Sequence, residues 1–521
     1  MTKSLVWNSN RAVALLVLAL VVSLQACTDL EETPVSSITP DNFYQTESEA
    51  LSGLAAVYNI LGPGGGDWEW NYYNLSQVSS DEMIVPTRGS DWFDAGRWLE
   101  IHRQTWTANS PAGLEDINGL WEAMFRGVTR ANVLLAGLEN TVVPNQDVIE
   151  AEAQALRALY YYYLMDMFGG VPIVTTTEIE ARPRNTRTEV FQFIDSELQA
   201  ARAVLPDNWP DSDYGRMTKG AADAILASMY LNAGVYTTDT PSATSYNSCT
   251  GVQVDGQSAC EAAIAAADRI LNSGEYSLAT DWRSNFTPDN YNSPENILVI
   301  NHKAEDGLGL NFIHRALHYN QYDPSPWNGF AALAETYNAF DADDQRREIF
   351  LEGLQVNVLT GDPVDDRSGT PLVFTVDIAD ETQAPEGEGT RIMKWTPDPD
   401  HVSQNNGNDF ALFRLSEIYL IKAEASFEMG NTGDALDLMN TLRERVFEPD
   451  EPLASVDRDV ILQERLFELT GEAKRRQDLI RHGKYTQPWS FKQAGGPELV
   501  LMPIPQSQLD ANPMLVQNPG Y

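Results

Sequence analysis

Leu412–Arg445, LFRLSEIYLIKAEASFEMGNTGDALDLMNTLRER, holds two apolar runs at helical spacing on either side of Gly430-Asn431, with Ala423 and Ala435 twelve residues apart. Small side chains at such matched positions let two antiparallel helices approach closely, so the stretch predicts a helical hairpin. Lys219–Leu271 has the same make-up around a long insertion: AADAILASMYLNAG ends at Gly234, and EAAIAAADRIL begins at Glu261. A generic helix pair accounts for one such segment, whereas two in one chain predict repeats.

Working outward, helical spacing dominates. Thr46-Glu-Ser-Glu49 reads as a capping box, followed by Leu51, Leu54, Ala55 and Tyr58 on one face, with a stop at Gly62-Pro63-Gly64-Gly65-Gly66. Leu156, Leu159, Tyr160, Tyr163, Leu164 and Met167 mark a helix ending before Gly169-Gly170-Val171-Pro172, and another starts near Thr188 with Val190, Phe191, Ile194, Leu198 and Ala201. Between Asp281 and Asp409 the periodicity fades into ordered loops with short strands such as Asn296–Ile300. The fold class is mostly α: a helical repeat scaffold carrying a loop-rich irregular region.

The 521 residues carry 35 basic and 75 acidic side chains, a formal net charge of −40. Such a surface repels polyanions, so nucleic acid is excluded as the main partner, and a neutral or cationic ligand is expected. Lys3 and Arg11 precede the apolar run AVALLVLALVVSL, Ala12–Leu24, which is too short to span a bilayer as a helix and reads as a signal peptide over 1–26. Leu24-Gln25-Ala26-Cys27 resembles the lipobox of bacterial lipoproteins, in which the cysteine becomes the acylated first residue of the mature chain. Acyl chains at Cys27 would hold the protein to a membrane through a tether over 27–40, and the acidic Asp29, Glu31 and Glu32 resemble a surface-export signal. Cys249 and Cys260, in an oxidising compartment, either close a short loop or remain free.

The close of the chain, LMPIPQSQLDANPMLVQNPGY from Leu501, is similar to the end motif of the SusD/RagB family of outer-membrane nutrient-binding lipoproteins. ALRALYYYYLMDMFGGVPIV from Ala155, RMTKGAADAILASMYLNAG from Arg216 and LFRLSEIYLIKAEASFEMGN from Leu412 resemble further segments of that family, in the family's order. The sequence departs from the pattern near Gln463–Lys484, where the family often has an aromatic-rich helix and LTGEAKRRQDLIRHGK has no Phe, Tyr or Trp. The resemblance implies tetratricopeptide-like helical repeats, an amino-terminal helical region over 41–280, and a carboxy-terminal region over 281–521 with the loop-rich insertion. It also implies a lipid-anchored place on the outer face of the outer membrane. The implied role is capture of a glycan and its delivery to a TonB-dependent, SusC-like transporter. A peptide ligand is the alternative within the family, and a surface glycoside hydrolase is the enzymatic one.

Six of the twelve tryptophans lie between Trp68 and Trp121. In DWEWNYY from Asp67 and RGSDWFDAGRWLEIHRQTW from Arg88, rings alternate with Asp, Arg and Asn, the mixture that stacks on the C–H face of a sugar and bonds its hydroxyls. Trp68, Trp70, Trp92, Asp94, Arg97 and Trp98 are therefore candidates for one wall of a glycan platform. Trp282, Tyr319, Tyr322 and Trp327 are candidates for a second wall, and the two walls are expected to meet. Trp106 and Trp121 read as core, the latter with Met124, Phe125 and Val128.

No Gly-x-Ser-x-Gly elbow, phosphate-binding loop or His-Glu-x-x-His site occurs, so no catalytic residue, cofactor or metal is expected. His314 and His318 read as packing or surface residues. Asp398, Asp400, Asn406, Asn408 and Asp409 read as a polar loop, and Glu464, Glu468 and Glu472 read as a solvated helix face with ion pairs.

Overall fold

In the computed structural model, residues 44–62, 68–240 and 246–521 are described; the leader, Cys27, the tether and most of the glycine cluster after Gly62 lie outside them. From Tyr44 to Tyr521 the chain forms one unit. Among the described residues, no helix is long and apolar enough to cross a membrane.

The first helix, α1 (Glu47–Tyr58), is set by the predicted capping box: the Thr46 hydroxyl accepts from the Glu49 amide, and the Glu49 carboxylate returns to the Thr46 amide at 2.9 Å. Its buried face differs from the one expected. Ala50, Leu54 and Val57 point inward, while Leu51 and Tyr58 are half-buried and Ala55 is exposed. The next principal helices are α2 (Tyr73–Val78), α3 (Arg97–Arg103), α4 (Asn118–Leu138), α5 (Gln146–Phe168) and α6 (Arg187–Arg202). In α6 the predicted Val190, Phe191, Ile194, Leu198 and Ala201 are the buried stripe.

The two hairpins form as read. In the first, α7 (Lys219–Leu231) packs on α8 (Ala259–Leu271); after the short α9 (Phe312–Ala316), α10 (Leu415–Glu428) packs on α11 (Thr432–Arg443). Ala423 and Ala435 are fully buried at the second crossing, with Leu420, Met439 and Leu442 around them. α8 packs on α10, so the two hairpins stack as repeats do. Cys249 and Cys260 are joined in a disulfide, which closes the insertion onto the start of α8.

Strands are few and short. β1 (Met83–Ile84) pairs antiparallel with β3 (Ala331–Ala332), and β2 (Asn296–Ile300) pairs antiparallel with β4 (Phe410–Arg414).

After α11 come α12 (Arg458–Leu469) and α13 (Arg475–Arg481). Here the reading of a solvated acidic face fails: Glu464, Glu468 and Glu472 are buried. Arg346 reaches Glu464 at 2.6 Å and Glu468 at 3.1 Å, Arg414 reaches Glu468 and Glu472 at 2.7 Å each, and Lys394 pairs with Glu472. The cations come from the loop-rich region and from β4, and these acids face them across the interior rather than water. The stretch 469–484, without Phe, Tyr or Trp, is filled in the same way. Arg476 pairs with Asp166 of α5 at 2.9 Å, and Arg481 with Glu424 of α10 at 2.6 Å, so hydrogen-bonded guanidinium groups pack there.

Candidate functional site

The register of β1 with β3 brings the two predicted walls together. Met83 faces Ala332 and Ile84 faces Ala331, so the chain leaving β1 toward Trp92 and the chain entering β3 from Trp327 emerge at the same end. A third segment is laced on by Thr87 N–H to Glu381 O at 2.9 Å and by Ala332 N–H to Thr390 O at 2.9 Å.

On this base Trp70 and Trp327 stack, with ring centroids 6.3 Å apart and planes 19° from parallel. Trp92 stands 6.4 Å from Trp327 at 45°, and its indole N–H donates to the Trp327 carbonyl at 2.6 Å. All three rings are half-buried, as is Tyr319. Gly329 makes the packing possible, because a Cβ there would clash with the Trp92 ring at its Cε2.

Backbone strain gathers at the same place. Trp92 has φ +60°, Asp94 +37°, Ala95 +57° and Asn328 +51°. A bulky residue in the left-handed region costs energy and persists only where its surroundings fix it, which marks functional surfaces.

A buried column supports the rings. The Arg315 guanidinium carbon sits 4.3 Å from the Trp70 ring centroid and 4.6 Å from that of Phe312. Glu69, fully buried, places a carboxylate oxygen 2.7 Å from His302 Nε2, and its backbone carbonyl accepts from Arg315 at 3.2 Å. His314, also buried, lies 6.4 Å from Trp327; burial and the nearby His401 push its pKa down to about 4, so it is neutral at pH 7.

A polar rim flanks the rings. The Tyr319 hydroxyl donates to Asp91 Oδ2 at 2.5 Å, and burial together with that carboxylate raises its pKa, keeping it protonated. Arg367 lies 4.1 Å from the Tyr319 ring centroid, pairs with Glu386 and stands 3.4 Å from Asp91. His318 Nε2 meets Glu386 Oε2 at 2.9 Å, and the His318 ring is buried, a packing role.

Several predicted platform residues lie elsewhere. Trp68 and Trp70 sit on a π-helical turn (Trp68–Tyr72), where positions two apart point to nearly opposite sides. Trp68 therefore faces inward, 2% exposed, against Tyr72, Tyr163 and Phe410. Trp98 is fully buried beneath Trp92 and Phe330, and its N–H donates to the exposed Asp94 at 2.7 Å. Arg97 covers Trp98 at 4.6 Å and pairs with Glu115. Trp282 belongs to the buried ion network, donating to Glu468 at 3.0 Å, and Tyr322 is buried with its hydroxyl 2.8 Å from Asp398 O. These four rings offer no open face because each is covered by side chains from distant parts of the sequence. Trp106 and Trp121 are core, as read.

Asp398 spends its oxygens on the Asp400 and Gly407 amides, and Asn406 on the Asp398 amide, in keeping with a polar loop. Among the described residues no cluster of three or more His, Cys, Asp or Glu has metal-binding geometry. Phe330, Gly329, Arg315 and the Asp91–Arg367–Glu386 rim were not found from the sequence. Arg367 and Glu386 lie in a stretch without periodicity, and only long-range contacts place them beside Tyr319 and His318.

A sequence-family model described as "Starch-binding associating with outer membrane" matches residues 35–231, and the "SusD family" model matches 379–498. The chain belongs to the SusD/RagB family. It is 24% identical to SusD-like protein P25 of Formosa agariphila over 96% of this chain and 98% of that one. It is also 24% identical to the starch-binding protein SusD of Bacteroides thetaiotaomicron, over 95% of each chain. A solved laminarin-binding SusD-like protein, 25% identical, superposes with a TM-score of 0.70 over 92% of this chain and 100% of that one. The helical architecture is thus that of the SusD-like proteins.

Proposed function

We propose that this SusD/RagB protein binds a neutral glycan on the face formed by Trp70, Trp92 and Trp327, with Tyr319 at its edge. The observation that carries the reading is the near-parallel, half-open Trp70–Trp327 pair, braced from below and rimmed by Asp91, Arg367 and Glu386. Indole faces take the apolar C–H faces of pyranose rings, and the rim carboxylates and guanidinium bond hydroxyls. The names of the relatives, starch-binding and laminarin-binding, agree with an uncharged glucan.

Charge argues for neutrality independently. The cation at the face, Arg367, is engaged by Asp91 and Glu386; Arg97, behind it, pairs with Glu115, Arg315 is buried near Glu69, and the whole chain carries −40. A sulfated or uronate-rich chain meets repulsion without a free counter-charge. The test is calorimetric titration of starch- and laminarin-derived oligosaccharides against anionic oligosaccharides of equal length. Neutral ligands should bind at least ~10-fold more tightly, equivalent to about 1.4 kcal/mol, with little dependence on salt; preferential anion binding would reject the assignment.

The rest of the role follows the family resemblance. Acylated at Cys27 and held at the outer face of the outer membrane, the protein would present glycan to a TonB-dependent, SusC-like transporter without making or breaking a bond. Palmitate labelling lost in Cys27→Ala, and co-purification with a TonB-dependent barrel, test the anchor and the partner.

Gly329 gives a local test. Gly329→Ala forces the Trp92 indole off its seat, so glycan affinity should fall by ~10-fold or more, equivalent to about 1.4 kcal/mol, while the melting temperature changes little. Unchanged affinity would remove Trp92 from the binding face.

A further inference from the structure

A second cluster of rings is built by the loop joining α6 to α7 and the segment that follows α8, neither of which contributes to the Trp70–Trp92–Trp327 face. Trp209, Tyr214 and Tyr276, all half-buried, line a cavity of about 150 Å³ together with Asp207, Asn208 and Glu275.

Trp209 is held as a platform ring would be. Its N–H donates to the Met217 carbonyl at 2.8 Å, and the Arg216 guanidinium covers it 3.8 Å from the ring centroid. Arg216 is fixed in turn by Asp213 at 2.8 Å and by the fully buried Glu152 at 2.5 Å. Pro206 and Pro210 bracket Trp209 in the loop and restrict its backbone. A half-exposed indole held this firmly has lost its conformational freedom before any ligand arrives, which lowers the cost of binding.

The polar groups around it retain capacity. Asp207 accepts from Lys219 at 3.0 Å, and Glu275 accepts from Asn208 at 2.7 Å. Each exposed carboxylate has about four acceptor sites, so lone pairs remain for hydroxyl donors. The cations here are engaged, Arg216 by Asp213 and Glu152 and Lys219 by Asp207. The cavity is well below the ~300–1,000 Å³ of pockets that enclose drug-sized ligands, a size suited to one sugar unit rather than a chain.

We infer that Trp209, Tyr214 and Tyr276 form a second, weaker saccharide-binding site that engages a further neutral sugar unit of a polymeric glycan. This rests on the glycan reading of the ring face. Its consequence is avidity: two modest sites on one polymer retain it far better than either alone.

The test uses the full chain with laminarin, starch and their hexasaccharides. Calorimetry should give two hexasaccharides per wild-type chain and one for Trp209→Ala, with the tighter site unchanged. Retention of Trp209→Ala on the immobilised polysaccharide should fall ~10-fold or more. Trp209→Phe, which keeps a ring, should recover part of that loss. Asp207→Ala with Glu275→Ala, both exposed and outside the core, should weaken the second site while leaving the fold intact, so an unfolded Trp209→Ala would not end the test. Wild-type stoichiometry and retention in Trp209→Ala and in the double variant, with the wild type binding glucan, would overturn the second site alone. Failure of the wild type to bind any of these glucans would overturn the reading of the ring face and the second site with it.

Discussion

Trp327→Ala is expected to lower glycan affinity by at least ~30-fold, about 2 kcal/mol or more, the scale on which a central tryptophan contributes to a binding surface. Trp327 has this weight because it touches both other rings, stacking with Trp70 and standing beside Trp92. The substitution leaves its backbone bonds in place: its amide still donates to His314 O at 2.7 Å, and its carbonyl still accepts the Trp92 indole at 2.6 Å. The loop therefore keeps its path, and the loss falls on the ring surface. Trp70→Ala should act in the same direction, and the double variant should show no binding at millimolar ligand. Isothermal titration beside a thermal melt separates the two effects; a variant that melts normally and binds normally would remove the stack from the site.

The second large effect is on stability. Glu468 is fully buried, and its carboxylate meets Arg414 at 2.7 Å, Arg346 at 3.1 Å, Arg445 at 3.3 Å and the Trp282 N–H at 3.0 Å. Burial opposes its ionisation, but Arg414, Arg445 and Arg346 together outweigh that and hold its pKa well below the usual carboxylate range. Glu468→Ala leaves three buried guanidinium groups short of an anion, and removing one partner from such a network costs ~3–5 kcal/mol. The denaturant midpoint should fall accordingly, while glycan affinity measured on the folded protein stays the same.

This network and a second buried cluster around Arg465 and Arg481 together set the acid limit. Glu424, Glu472 and Asp478 are likewise held low: burial works against each, and Arg481 with His482, Arg414 with Lys394, and Arg465 with Arg481 overcome it. A carboxylate with a depressed folded pKa gives its full stabilisation above its unfolded value, about 4, and loses it as pH falls toward the folded one. Wild-type stability should drop steeply below about pH 4, and Glu468→Ala, with one such group fewer, should show a shallower acid slope.

What could be read from the sequence was what is local. The Thr46–Glu49 box, the stripe of α6, the paired alanines at the second hairpin crossing and the strand Asn296–Ile300 each depend on residues a few positions apart, and each formed as expected. On α1 the apolar residues form two neighbouring stripes, and the neighbouring helices, not the spacing, chose Ala50, Leu54 and Val57 over Leu51, Ala55 and Tyr58. The acids of α12 were misread because Arg346 and Arg414 stand 118 and 54 residues away from the acids they meet.

The candidate site was legible in kind and partly in membership. Alternation of rings with polar residues pointed to two segments, and the two-residue β1–β3 ladder brings them together. Composition could not tell which rings stay open. Trp70 and Trp68 differ by two positions on one turn, and Trp92 covers Trp98 from a backbone with a left-handed φ.

A crystal structure of the full chain soaked with a neutral glucan hexasaccharide tests the central claim most directly. The account predicts a pyranose ring lying against the open surface of the Trp70–Trp327 pair, with its hydroxyls within 3.2 Å of the Asp91, Arg367 or Glu386 side chains, at roughly hydrogen-bonding distance. Hexasaccharide density seated elsewhere, with that pair left bare at saturating ligand, would contradict it.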